Sequence, residues 1–283
     1  MKIENRINRI KGLTGDKRPR ILAFASGKGG VGKSVIAFNL AERLSQKARV
    51  LLIDGDFSTG NLHLLANVAP QHSWQQVVLG ECRFGEALIR LNKNFDLLAS
   101  TTLDQQFSLP DTKSLAYFMG KLQQTASAYD FVIIDTASGI MPQTNLTLHI
   151  ADEVVLITTA ELTAISDCYA LYKVLVGNDK NIFASLLINQ ENKSEEVQYI
   201  YQKFCTIASQ FLSRTPGFFG CLGTDKTITG AVASQQAVAI YNPQSLIAGE
   251  FSRIAGKLLD QRTAVAPQGV VSENVRPELE SIN

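Results

Sequence analysis

The sequence predicts a doubly wound α/β fold: a single, mostly parallel sheet with helices on both faces. Two observations carry that expectation. From Ile21 onward, short apolar runs alternate with longer amphipathic stretches, the signature of repeated strand–helix units. Several runs, Phe131-Val-Ile-Ile134 foremost, are apolar at every position, as a parallel strand covered on both faces must be. A length of 283 residues, 45% hydrophobic, with a net charge of +1, suits one globular domain with a full-sized core.

Residues 1–20 stand apart. Lys2, Arg6, Arg9, Lys11, Lys17, Arg18 and Arg20 outweigh Glu4 and Asp16 there. Ile3, Ile7 and Ile10 recur at helical spacing, so a helix in this segment has one apolar face and a basic remainder. Gly12 and Gly15 read as a linker. Strands are expected at 21–26, 50–54, 94–99, 131–135, 153–158, 183–188 and 218–222. Helical patterns fill the gaps at 34–46, 112–127, 164–176, 194–213 and 245–262, which sets the domain at 21–262. Over 263–283 the composition turns to Pro, Gly, Ser, Glu and Asn, and it predicts a disordered polar tail.

The 27 basic and 26 acidic side chains nearly cancel, so no global field draws nucleic acid or anionic membrane, and DNA is not an expected partner. Cys82, Cys168, Cys205 and Cys221 form no C-x-x-C pair. That argues against a zinc or disulfide framework and for reduced cytosolic thiols. No apolar stretch has the length of a signal sequence core or a spanning helix, so a cytoplasmic protein is expected.

The first strand runs into Gly27-Lys28-Gly29-Gly30-Val31-Gly32-Lys33-Ser34, a full match to G-x-x-x-x-G-K-[ST]. Each element has a physical task. Glycines let backbone N–H groups turn inward around phosphates, Lys33 reaches the β/γ oxygens, and the Ser34 hydroxyl serves Mg²⁺. The helix that follows points its positive dipole end at the same spot. A purely structural glycine turn does not account for this strand–loop–helix context.

The second lysine narrows the reading. Lys28-Gly-Gly-Val-Gly-Lys-Ser34 resembles the deviant Walker A motif of the MinD/ParA ATPases, which belong to the SIMIBI class of P-loop NTPases. The resemblance implies ATP and Mg²⁺ as ligands and an ATP-dependent homodimer in which Lys28 crosses to the partner's phosphates. A lysine supplied in trans would stabilise the developing anion as an arginine finger does. A solvated loop lysine is the competing reading.

Leu51-Leu-Ile-Asp54-Gly-Asp56, with Asn61 beyond, resembles the switch I pattern of the same family. There Asp56 matches the residue that positions the attacking water, Asp54 its neighbour on the magnesium side, and Asn61 a nucleotide-side residue. Two aspartates just past a strand also suit a turn or helix cap. Phe131-Val-Ile-Ile-Asp135 is the Walker B candidate, whose carboxylate holds Mg²⁺ through water. The family's switch II loop should follow at Thr136–Gly139, although Ala137 and Ser138 depart from its usual residues. Asn189, at the end of Leu186-Leu-Ile, matches the residue that contacts adenine, and a cap for the next element is the alternative. After strand 218–222, Leu222-Gly223 replaces the usual I-P, while Asp225 is retained.

Thr158-Thr-Ala-Glu161-Leu-Thr-Ala-Ile-Ser-Asp167-Cys-Tyr169-Ala-Leu-Tyr-Lys173 resembles a run of the FlhG/FleN proteins, the MinD-like regulators of flagellar number and placement, with Ala160 in place of proline. Gly60–Leu65, Asp225–Gln235 and Tyr241–Ser245 point to the same branch. The resemblance implies a slowly hydrolysing dimerisation switch in flagellar assembly. Its partners would be a flagellar signal-recognition-type GTPase (FlhF-like) or a transcription regulator, with peripheral contact at the inner face of the membrane. Asn5-Arg-Ile-x-x-Ile10-Lys11 has the spacing of the GTPase-engaging element but not its first identities. A MinD-type division-site regulator and a ParA-type DNA-segregation ATPase are the alternatives. The first would want a basic amphipathic C-terminal helix and the second a basic dimer surface, and neither is evident. An iron–sulfur carrier would need cluster-ligating cysteines in other positions.

Overall fold

The computed structural model describes residues 18–56, 60–100, 120–122, 125–139, 148, 150–179 and 181–264. Residues 265–283 of the tail expected at 263–283, whose first two residues are helical, and residues 1–17 of the basic amphipathic segment expected at 1–20 lie outside them. So does most of the helix expected at 112–127, of which 120–122 and 125–126 are helical.

The chain runs β1 (Arg20–Ala25), α1 (Lys33–Ser45), β2 (Val50–Gly55), α2 (Leu62–Leu65), α3 (Trp74–Leu79), a 3-10 turn (Phe84–Glu86), β3 (Leu88–Asn92) and β4 (Phe95–Leu98). It continues through β5 (Phe131–Thr136), β6 (Glu153–Thr158), α4 (Leu162–Asn178), β7 (Ala184–Asn189), α5 (Ser194–Leu212) and β8 (Gly217–Leu222). It closes with α6 (Lys226–Ala233), α7 (Val238–Tyr241) and α8 (Leu246–Ala264), the last running two residues past the expected boundary.

The strands form one sheet in the order β3-β4-β2-β5-β1-β6-β7-β8, and every pairing but β3–β4 is parallel. Alternate strand residues feed two cores. Ala23, Val132, Leu156 and Leu186 pack against α3, α4 and α5. Leu22, Phe24, Ile133, Val155 and Leu187 pack against α1, α7 and α8. That two-sided burial is why the strands read as continuous apolar runs.

Local chemistry sets the helix ends. Ser73 and Gln76 form a reciprocal capping box at α3, and the Asp225 side chain accepts the Thr227 N–H at 2.8 Å to start α6. On α8, Ile247, Ala248, Phe251, Ile254, Ala255 and Leu258 recur at helical spacing, and all are buried. The apolar stripe of this helix is therefore core, packed on α1 and β8, rather than a lipid-facing surface. Asn39 on α1 adds a polar tie, accepting the Val238 N–H of α7 at 2.7 Å.

β3 was not expected. It is a half-exposed antiparallel edge strand, Leu-Ile-Arg-Leu-Asn, held by Arg90 paired with Asp96 across the ladder. A strand covered on one side lacks the unbroken apolar run that marks its neighbours.

Candidate functional site

β1 goes left through α1 to β2, whereas β6 goes right through α4 to β7, so the sheet order reverses around β1. Such a switch point leaves a crevice at the carboxyl ends of the strands, where open α/β sheets bind ligands. The loop 27–32 lies there.

Gly30 and Gly32 have φ of 81° and 89°, a left-handed conformation that side chains resist, and Gly32 caps α1. The space above Gly29 and Gly30 is open, so the backbone presents itself to a ligand. Gly27 is glycine for another reason: a Cβ there would collide with the Asp167 backbone in α4. Val31 is buried, and Ser34 sits half-buried in the first turn of α1.

Asn189, at the end of β7, is 4% exposed. Its Nδ2 donates to the Val31 carbonyl at 2.8 Å and stands 2.6 Å from where a Gly32 Cβ would be. Its Oδ1 is buried with no hydrogen-bond partner among the described residues, an acceptor held ready beside the loop.

Beneath the loop, Lys33 Nζ pairs with Asp135 Oδ1 at 2.5 Å, with side chains 6% and 2% exposed. Asp135 stands opposite Asp54 in the parallel register of β5 and β2, so two carboxylates reach the same level of the sheet. Asp54 is fully buried. Burial first, and the Asp135 charge second, push its carboxyl up to about 7, against hydrogen bonds from the Leu62 and Asp56 N–H groups. Those bonds, at 3.2 Å each, tie Asp54 to Asp56 and to the first residue of α2. Asp56 follows, half-buried, and Asn61 is exposed at the start of α2.

Lys28 points elsewhere. Its Nζ donates to Glu161 Oε2 at 2.6 Å and Thr163 Oγ1 at 3.2 Å, at the start of α4. The Thr136–Gly139 loop is fastened from below: Gly139 N–H donates to the Ser26 carbonyl at 2.8 Å and Thr136 Oγ1 to that of Phe24 at 2.9 Å.

The structure thus gathers Lys33, Asp54 and Asp135 beneath the glycine loop, with Asn189 against its flank, and leaves Lys28 on the outer rim. Sequence reasoning did not name Glu161 and Thr163 as partners of Lys28, Asp167 as the wall behind Gly27, or Ser100 beside Asp56. Only the tertiary packing joins these pairs, so no motif marks them. The four cysteines are unpaired, and Cys168 is sealed in the core, where burial pushes its thiol up to about 12.

A strand–glycine loop–helix with a buried lysine and two strand-end carboxylates defines a P-loop nucleotide-binding protein. The family model described as an AAA domain matches residues 19–196, and the chain belongs to that family of ParA/MinD-type P-loop ATPases. It is 26% identical over 251 residues to the antiactivator FleN of Pseudomonas aeruginosa, covering 88% of this chain and 90% of that one. It is 25% identical over 272 residues to the flagellum site-determining protein YlxH of Helicobacter pylori, covering 92% of each. The solved septum site-determining protein MinD of Pyrococcus horikoshii, complexed with Mg-ADP, shares the fold with a TM-score of 0.71 at 20% identity, over 87% of this chain and 98% of that one.

Proposed function

We propose that the chain is an ATP-binding, slowly hydrolysing switch that dimerises when loaded and regulates flagellar number or placement. The observation that carries the chemistry is the buried Lys33–Asp135–Asp54 group beneath an open glycine loop. Loop and carboxylates fit MgATP. The loop N–H groups and Lys33 would take the phosphates, and the Asn189 acceptor suits the amino group of adenine. Ser34, Asp54 and Asp135 would hold Mg²⁺, which draws on one or two carboxylates plus phosphate oxygens and supplies charge neutralisation on the phosphates. Asp56, fixed at the mouth of the site, would orient the attacking water, and hydrolysis breaks the bond to the terminal phosphoryl group.

Lys28 is tethered within its own subunit by an ion pair whose side chains are 40% and 66% exposed. Such a pair contributes about 0–1 kcal/mol, so releasing Lys28 to a second copy costs little. The test is light scattering on Asp56→Ala, a variant expected to bind ATP without turning it over. A monomer with ADP and a dimer with ATP is the expected result. The same mass in both states would remove the role in trans.

The flagellar reading rests on similarity to FleN and YlxH along about nine-tenths of the chain. The partner would be an FlhF-like GTPase or a transcription regulator. Deleting the gene separates this role from division-site and DNA-segregation ones: flagellar number or position should change, and cell length and plasmid inheritance should not. No described helix is long and apolar enough to cross a membrane. With the α8 stripe buried, residues 1–17 are the candidate for a peripheral contact.

A further inference from the structure

We propose that Ser100 is a positioning residue for ATP hydrolysis, acting through Asp56; this rests on the role given to Asp56 above. Ser100 lies just past β4, is fully buried, and donates its Oγ hydrogen to the Asp56 carbonyl at 3.0 Å. The Asp56 N–H, on the other side of the same residue, donates to Asp54 Oδ1 at 3.2 Å. Asp56 is therefore gripped at both of its peptide groups, from two neighbouring strands, and the backbone that carries its carboxylate is held in place.

The grip has a matching notch. A Cβ at Gly60 would overlap Ser100 Oγ and stand 2.6 Å from Asp54 Oδ2, so the backbone closes over the serine only because residue 60 has no side chain. Ser100 is itself held by its neighbour, since the Ala99 carbonyl accepts the Trp74 N–H at 3.1 Å. Asp56 and Gly60 thus rest against the ends of β2 and β4, and β4's side contributes the Ser100 hydroxyl. Ser100 is remote from the glycine loop in sequence and makes none of the contacts given to Asn189 or Lys33. Its loss should move turnover and leave nucleotide affinity in place.

Ser100→Ala in the full chain should lower kcat on the order of ten-fold, the scale of one lost positioning hydrogen bond. KM for ATP and the affinity for ADP should stay within about two-fold. Trp74, the one tryptophan, is buried and bonded through its backbone N–H to the residue before the changed one, and reports by its emission that the local fold is kept. Should Ser100→Ala not fold, Ser100→Cys leaves no cavity and keeps a weaker donor in a slightly larger side chain, and a smaller fall in kcat alone is expected. A kcat within two-fold of wild type overturns the proposal. So does a fall in kcat accompanied by an equal loss of ADP affinity, the mark of a merely structural role. Asp56→Ala is run alongside: wild-type turnover in that variant would overturn the water-positioning role itself, and Ser100's with it.

Discussion

Lys33→Ala should do more than abolish ATP binding; it should destabilise the empty protein. Lys33 and Asp135 form a 2.5 Å pair almost wholly out of water, and Asp54 sits at the same level of the sheet. Removing the cation leaves a buried carboxylate with no counter-charge, a defect worth about 3–5 kcal/mol. With a urea slope near 3 kcal/mol/M, as suits a domain of this size, the unfolding midpoint falls by roughly 1–2 M. Removing both charges, in Lys33→Met with Asp135→Asn, should recover most of the loss, because matched neutral groups no longer need each other. The assay is urea unfolding without nucleotide of wild type, Lys33→Ala, Lys33→Met, Asp135→Asn and the double variant, the last three closing a thermodynamic cycle with wild type. A Lys33→Ala midpoint within about 0.3 M of wild type, or additive single variants, would refute the reasoning and make the pair no stronger than a surface one.

Three further outcomes are expected. Glu42 on α1 is buried with Oε2 unpartnered among the described residues, and burial pushes its carboxyl up despite Gln46 and Arg43. Its folded pKa lies above its unfolded one, so the folded state keeps the proton longer and stability falls as pH rises from about 4.5 through the folded value. Glu42→Gln should then add about 1 kcal/mol near pH 7, a Tm gain of about 2–4 °C. The gain should shrink towards pH 4.5, and an equal gain at both ends would contradict the burial argument. Glu161→Gln removes the charge that holds Lys28 in each subunit and should tighten ATP-dependent dimerisation up to about thirty-fold, the upper worth of two exposed ion pairs at about 1 kcal/mol each; sedimentation at graded concentrations measures it, and weaker dimerisation would count against the tether. Binding to anionic liposomes should be weak, salt-sensitive and dependent on residues 1–13; strong ATP-dependent sedimentation lost on deleting 265–283 would reverse that assignment.

The sheet was legible because its strands are buried on both faces. Phe131–Ile134 and Leu186–Ile188 announce themselves without partners, and the P-loop carries its own context in eight residues. β3 escaped because Arg90 and Asn92 break its apolar run, and α2, α6 and α7 are too short for periodicity to register. The candidate site was legible wherever its residues share a fixed local spacing, as at Gly27–Ser34 or Asp54–Asp56. What the sequence concealed are contacts made across the fold: Asp167 filling the space behind Gly27, Glu161 holding Lys28, Ser100 gripping Asp56. Their spacing, from 44 to 140 residues in the chain for the first and last of these, is set by topology and leaves no pattern to read.

The family match ends at residue 196, just inside α5, yet the molecule does not divide there. β8 is the strand that covers the outer edge of β7, and α8 covers α1, whose Ile36, Leu40 and Leu44 are buried. Gln235 donates to the Leu64 carbonyl at 2.9 Å, and the Val238 N–H to Asn39, so later residues also fasten earlier ones. A fragment cut at 196 would expose a hydrophobic strand edge and the bare flank of its own phosphate-loop helix, both invitations to aggregate. For anyone trimming this protein for crystallisation or fusion, a cut near 196 is the one to avoid, and β8, α7 and α8 belong in the piece that is kept.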